Sequence, residues 1–273
     1  MSLTGLGPNY PQRIVCLTEE PTETLYLLGE GHRVVGVSGY TVRPPEARLK
    51  PKVSAFISAK FDKICALEPD LVITFSDLQA DIVRELIGRG LTVIAFNQRS
   101  VAEILQMILM LGGLVGCADK AERLVDQFRA GLAAAAEAAS ALPRRPRVFF
   151  EEWKEPLISG IRWVEELIEI AGGEPIFPEL RGRPLAKDRI VDPAEVVKRN
   201  PDLIIASWCG KKLQPDFIRR RPGWQEIAAV KYDRIREIKS AYILQPGPAA
   251  LTEGLAQLRR HIGAAARELA AGD

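Results

Sequence analysis

Two histidines, His32 and His261, and four cysteines, Cys16, Cys65, Cys117 and Cys209, are the side chains of this 273-residue chain best suited to hold a metal or attack a substrate. No two cysteines form a CxxC pair, which leaves neither a zinc knuckle nor a disulfide framework. Cys16 and Cys65 lie in apolar runs and read as buried small hydrophobes. A hydrolytic triad would have to use one of the histidines. His32 follows a helix end and His261 falls in a C-terminal helix rich in alanine and arginine, so both are expected to face solvent. Gly36-Val37-Ser38-Gly39 begins like a nucleophile elbow, but position 40 is tyrosine where the elbow needs glycine. Gly5-Leu6-Gly7 precedes any strand and Gly29-Glu30-Gly31 follows a helix, so neither is a dinucleotide turn. No GxxxxGK[ST] occurs. The pairs Glu151-Glu152 and Glu165-Glu166 are neighbours in sequence and need not share a cleft. No nucleophile or base stands out, so the chain is expected not to be an enzyme. It is also expected to hold no metal of its own and no intrinsic cofactor.

Aromatic side chains are the other residues that could do chemistry, through desolvated contact area. Tyr40 follows an apolar run at Val34 to Val37, Phe56 lies in a proline-rich loop, and Phe75 ends the run from Leu71. In the second half, Trp153 follows Arg147 to Phe150, Trp208 ends the run from Leu203 to Ala206, and Tyr242 follows Ile235 to Ile238. Trp163 opens a helix after Ser159-Gly160. Tyr40, Phe75, Trp153, Trp208 and Tyr242 thus sit where a strand meets a loop. In a parallel sheet the carboxyl ends of the strands share one edge, where ligands bind. Two such edges lined with flat rings suit a large planar or macrocyclic ligand.

The elements that must hold these residues repeat. In the first half, strands alternate with helices. A helix capped by Thr22 ends at Gly29, a helix runs from Asp62 to Leu67, another from Gln79 to Gly88, and a strand from Thr92 to Phe96. This alternation predicts a parallel, helix-covered sheet. The second half repeats the plan, with a helix from Trp163 to Ile170 ending at Gly172 and Gly173. The clearest echo is EPDLVITFS at Glu68 to Ser76 against NPDLIIASW at Asn200 to Trp208. One duplication of domain size implies two similar α/β lobes. Between them, residues 119–142 form an alanine-rich run without proline, read as one long connecting helix. The expected division is an N-terminal lobe at 11–118, the helix at 119–142, and a C-terminal lobe at 146–273.

Charge and hydropathy bound the partners. Lys plus Arg number 37 against 35 Asp plus Glu, a formal charge of +2, which argues against nucleic acid. Arg219-Arg220-Arg221 before Pro222-Gly223-Trp224 reads as a solvated turn. The uncharged run 104–118 falls short of the ~20 residues that span a bilayer, so no membrane insertion is expected. MSLTGLGPNYPQ has neither a basic nor an apolar signal region.

RIVCLTEEPTETLYLLGEGHRVVGVSGYTVRPPEA from Arg13 resembles the opening of class III periplasmic substrate-binding proteins of ABC importers, nearest to the cobalamin-binding branch, with siderophore and heme binders as relatives. The likeness continues through VSAFISAKFDKICALEPDLVIT from Val53 and LISGIRWVEELIEIAGGEPIF from Leu157. It extends through VDPAEVVKRNPDLII from Val191 and RPGWQEIAAVKYDRIREI from Arg221. The resemblance implies two α/β lobes joined by one long helix, with ligand in the cleft between them. In the cobalamin branch, aromatics at the positions of Tyr40, Phe56 and Phe75 line that cleft. An Asp and an Arg that touch the corrinoid align with Ala241 and Gln245. Trp153, Arg162, Trp163, Trp208, Tyr242 and Gln245 are therefore the expected contacts on the second side. The implied ligand is cobalamin, cobinamide, heme or a ferric siderophore, delivered to an ABC permease. The family docks through one acidic residue per lobe. The matching positions are Asp62 and Ala194, with Glu195 and Asp192 beside the alanine, so Asp62 and Glu195 are the expected permease contacts. The protein is expected in the periplasm, or lipid-anchored outside, if a signal peptide preceded it. If Met1 is near the native start, a cytoplasmic corrinoid or tetrapyrrole carrier or sensor without a permease is the alternative.

Overall fold

The computed structural model describes residues 10–272. Two compact units divide the chain. One ends at Gln98 and resumes over Ala102–Gln127; the other takes Arg99–Val101 and everything from Phe128.

The first unit is built on a six-stranded sheet of order β4-β3-β2-β1-β5-β6. Its strands are β1 (Ile14–Cys16), β2 (Val34–Ser38), β3 (Lys52–Ala55), β4 (Ser58–Ala59), β5 (Leu71–Phe75) and β6 (Val93–Phe96). All pair in parallel except β4, which turns back on β3. Helices α1 (Glu19–Leu27), α2 (Phe61–Cys65) and α3 (Ala80–Gly88) connect them, followed by α4 (Val101–Leu114). β1 and β5 are buried throughout, as continuous apolar runs under helices must be.

Two local expectations are corrected here. Thr22 does not cap α1. The helix begins at Glu19, with Pro21 in its first turn where its missing N–H costs nothing. The Thr22 hydroxyl donates back to the Thr18 carbonyl at 3.1 Å. The proline-rich loop also conceals the β3–β4 hairpin, and Phe56 lies in its turn.

Helix α5 (Ala118–Ser140) crosses from the first unit to the second within its own length. Its start approaches α4 closely. A Cβ on Gly112 would come within 2.3 Å of the Ala121 Cβ, so only glycine permits that spacing.

The second unit orders its strands β11-β10-β7-β8, with β9 beside β7. These are β7 (Arg147–Lys154), β8 (Leu157–Ser159), β9 (Glu174–Pro175), β10 (Leu203–Ala206) and β11 (Ile235–Glu237). β8 is antiparallel and the others are parallel to β7 or β10. Helices α6 (Arg162–Ile170), α7 (Pro193–Arg199), α8 (Pro215–Arg219), α9 (Ala228–Lys231), α10 (Ser240–Ile243) and α11 (Leu255–Ala271) pack around them. Phe149 anchors this core edge-on to Phe177 at 5.8 Å and to Trp224 at 6.1 Å. A further correction concerns Trp153. It lies within β7, because the strand runs on to Lys154 to pair with β8.

The sequence echo has a structural meaning. Glu68 and Asn200 both take left-handed backbone just before a proline, with φ of 45° and 43°; Asn200 is the C-cap of α7, while Glu68 lies two residues beyond the C-cap of α2 at Ala66. The aspartate that follows ties down the neighbouring strand. Asp70 accepts from the Gln12 and Arg13 amides at 2.7 and 2.9 Å, and Asp202 accepts from the Arg147 amide at 2.8 Å.

Candidate functional site

At the carboxyl edge of the first sheet, Tyr40 follows β2 and is 54% exposed. Phe56, half-buried, occupies the turn after β3, and Phe75, 4% exposed, closes β5. Gln79 joins the last two. Fully buried, it donates from Nε2 to the Phe56 carbonyl at 2.6 Å and accepts the Phe75 amide on Oε1 at 3.0 Å. Ser76, at φ 64°, turns the chain between them, and its hydroxyl accepts from the Leu78 amide. Around the rim Val42, Ile57 and Leu78 are exposed, so the edge presents apolar as well as aromatic surface. The carboxyl end of β1 contributes acids instead. Burial pushes the Glu19 carboxyl up to about 7, and Thr18 donates to Glu20 at 2.9 Å. Sequence reasoning missed Gln79 and Glu19. Their only signal was their place, one just past β5 and the other just past β1.

The second sheet's carboxyl edge is built differently. Trp208 is 3% exposed, and its indole N–H donates to Glu151 Oε1 at 2.9 Å. Glu151, fully buried, also takes both guanidinium nitrogens of Arg221 at 2.6 and 2.8 Å. Removing one partner of such a pair typically costs ~3–5 kcal/mol, because a buried charge is left alone. Trp163, also 3% exposed, donates to the Ile243 carbonyl at 2.9 Å. Both indoles therefore brace the edge from within rather than offering open faces. Trp153 is half-buried, with Lys211 Nζ lying 5.1 Å from its ring centre. Arg162 is exposed and pairs with Glu166 at 2.8 Å, while Glu166 also accepts the Val101 amide. Tyr242 and Gln245, partly exposed, lie in and just beyond α10. Neighbouring Glu165 is 3% exposed, and burial pushes its carboxyl up to about 8 against the opposing pull of Arg181 and Arg189.

The two acidic residues expected at the permease face differ. Asp62 stands in the first turn of α2 with its side chain 97% exposed, bonded to Arg89 at 2.7 Å. Glu195, in the first turn of α7, is half-buried and engaged by Lys198 and Arg199. Asp192 caps α7 by accepting the Ala194 amide at 2.9 Å.

His261 departs from expectation. It is partly buried, and desolvation with Arg260 and Arg236 holds its imidazole down at about 4. His32 is exposed. Cys16 is buried and its thiol is pushed up to about 12, whereas Cys65 is only partly buried. Among the described residues, no three His, Cys, Asp or Glu side chains gather to hold a metal, and no helix is long and apolar enough to cross a membrane.

Comparison with known proteins places these edges in a family context. The periplasmic binding protein family matches residues 14–242. An ABC transporter substrate-binding lipoprotein of Bacillus subtilis is 28% identical over 92% of this chain and 80% of its own length. The vitamin B12-binding protein of Vibrio parahaemolyticus is 25% identical over 88% of this chain and 86% of its own. The periplasmic heme-binding protein of Roseiflexus sp. RS-1 shares the fold at a TM-score of 0.82, with 24% identity, covering 93% of this chain and 99% of its own.

Proposed function

We propose that this chain, which belongs to the periplasmic binding protein family, is a non-enzymatic solute-binding protein that captures a large chelated-metal ligand for ABC-type import. The ligand class is cobalamin, cobinamide, heme or a ferric siderophore, and the proposed site is the interlobe cleft expected from the family. The observation that carries this reading is the first sheet's edge. Tyr40 is exposed there and Phe56 is half-exposed, with Phe56 clamped to Phe75 through Gln79. A rigid aromatic surface of this kind binds by area and shape, with little ordering cost. Trp153, Arg162, Tyr242 and Gln245 are proposed as contacts on the second side, with Trp163 and Trp208 supporting them from beneath. The protein is proposed to work outside the cytoplasmic membrane, free or lipid-anchored, as its B12-binding and lipoprotein relatives support.

A thermal-shift screen with cobalamin, cobinamide, hemin and ferric siderophores tests the ligand class. At least one raises Tm, and Tyr40→Ala with Phe56→Ala weakens that ligand by about tenfold or more, the scale of one or two lost aromatic contacts. Unchanged affinity in the double variant refutes the site. A flat screen refutes the ligand class.

A further inference from the structure

The carboxyl edge of the second sheet carries more positive charge than its own acids neutralise. Lys154 ends β7, and Lys211 and Lys212 follow β10. These are neighbouring parallel strands, paired as far as Ala206 and Glu151, so the three ammonium groups belong to one edge. Glu155, beside Lys154, is exposed and forms no ion pair with these cations among the described residues, and the other nearby carboxylates are already engaged. Glu151 holds Arg221, Glu152 holds Arg189 at 2.7 Å, Asp216 holds Arg219 at 2.8 Å, and Glu237 accepts the Leu213 amide. Among the described residues, Lys154, Lys211, Lys212 and Arg220 pair with no carboxylate.

Two of these cations lie on rings instead. Lys211 Nζ is 5.1 Å from the Trp153 ring centre, and Lys154 Nζ is 4.4 Å from Phe217 and 5.3 Å from Trp208. An ammonium over an aromatic face is held in place but keeps its full charge and part of its hydration. Phe217 also lines a cavity of about 550 Å³ with Gln214, Arg220 and Arg221. The first sheet's edge has the opposite character, with Tyr40, Val42, Ile57 and Leu78 exposed. Aromatic and aliphatic surface alone discriminates by shape; oriented cations add discrimination by charge.

We propose that Lys154 and Lys211 make the second sheet's edge selective for ligands that carry carboxylates on an apolar ring system, against amidated or esterified ligands of the same shape. This rests on the reading of the two sheet edges as the ligand site. An incoming carboxylate would pair with a cation already positioned, without displacing any acid of the protein. The charge then fixes which end of the ligand meets the second sheet.

The test compares two matched pairs of probes, protoporphyrin IX with its dimethyl ester and cobyrinic acid with cobinamide, by equilibrium titration. Wild-type protein and the Lys154→Met, Lys211→Met double variant are used, with far-UV circular dichroism to verify that the variant is folded. Each acid is expected to bind the wild type about tenfold more tightly than its neutral counterpart. The preference falls to within about threefold in the variant while affinity for the neutral probes is kept. Raising salt weakens the acids only, as screening of exposed charges requires. Equal affinity for acid and neutral probes, or a preference that survives in the variant, overturns the proposal and leaves the binding site standing. Failure of all four probes to bind overturns the ring-ligand reading, and the lysine proposal with it.

Discussion

Glu165 shows at the scale of one residue how burial overrides composition. It is one of 35 acidic residues, yet it sits 3% exposed among Arg181, Arg189, Glu169 and Glu179, with burial as the largest influence on its carboxyl. Held at about 8, it is largely neutral in the folded protein near pH 7, whereas the unfolded chain would ionise it near 4.5. The folded state therefore binds the extra proton between these values, and stability falls as pH rises through that window. The contribution is fully present below about 4.5 and gone above about 8. Glu165→Gln keeps the shape and removes the titration. Its expected effect is a flatter dependence of Tm on pH between 5 and 8. A Tm gain of roughly 2–4 °C at pH 8 is expected, the shift that ~1 kcal/mol gives a chain of this length. No gain is expected at pH 4.5. Calorimetry at the two pH values checks both, and an equal shift at each would refute the titration account. Glu19, raised to about 7, adds to the same slope.

Between elements, the decisive contacts are polar groups that join loops. Gln79 lies beyond β5 but bonds the β3–β4 turn and the last amide of β5 together. Gln79→Leu leaves one carbonyl and one amide without their partner, at ~1–3 kcal/mol for a buried group. It also frees the Phe56 turn from Phe75. The expected result is lower stability in urea, together with weaker binding of whichever ligand the thermal-shift screen returns. Binding that is unaffected in Gln79→Leu would show the clamp to be structural only. Glu151 does the corresponding work in the second unit, holding Trp208 and Arg221 at once. Neither clamp has a sequence signature, because glutamine and glutamate near a strand end are ordinary surface choices until the fold buries them.

Across the whole molecule, the duplicated plan places an acidic residue in the first turn of the helix that precedes each Pro-Asp strand, Asp62 in α2 and Glu195 in α7, and the two are unequal. Asp62 is exposed with a single arginine partner, while Glu195 is half-buried between Lys198 and Arg199. If docking to a permease uses these positions, the first unit supplies most of the available charge. Asp62→Lys is then expected to leave ligand affinity unchanged and to reduce ligand uptake in cells carrying the cognate permease by about fivefold or more, as charge reversal across an interface does. Glu195→Gln should reduce it less. Uptake unaffected by Asp62→Lys would remove the docking role and favour a carrier that works without a permease.

The sequence alone determined the features that depend on short-range pattern. Alternating apolar runs and helix signals, punctuated by glycine and proline, predicted a duplicated α/β chain with a long helix between the halves. The repeated Pro-Asp before a buried strand marked equivalent positions, since the same backbone turn and the same strand-tethering aspartate are needed in both units. Aromatics at strand ends were legible because in parallel sheets those ends are one edge. What only tertiary structure decided was which faces remain open. Tyr40 stays exposed while Trp163 and Trp208 are buried, and Trp153 carries Lys211 on its ring. Exposure and pairing depend on segments far apart in the chain: Glu151 meets Arg221, Gln79 meets Phe56, and Trp163 meets Ile243. A residue's own neighbours in sequence carry no record of such partners. The chemistry of the two edges therefore emerges only when the sheets assemble.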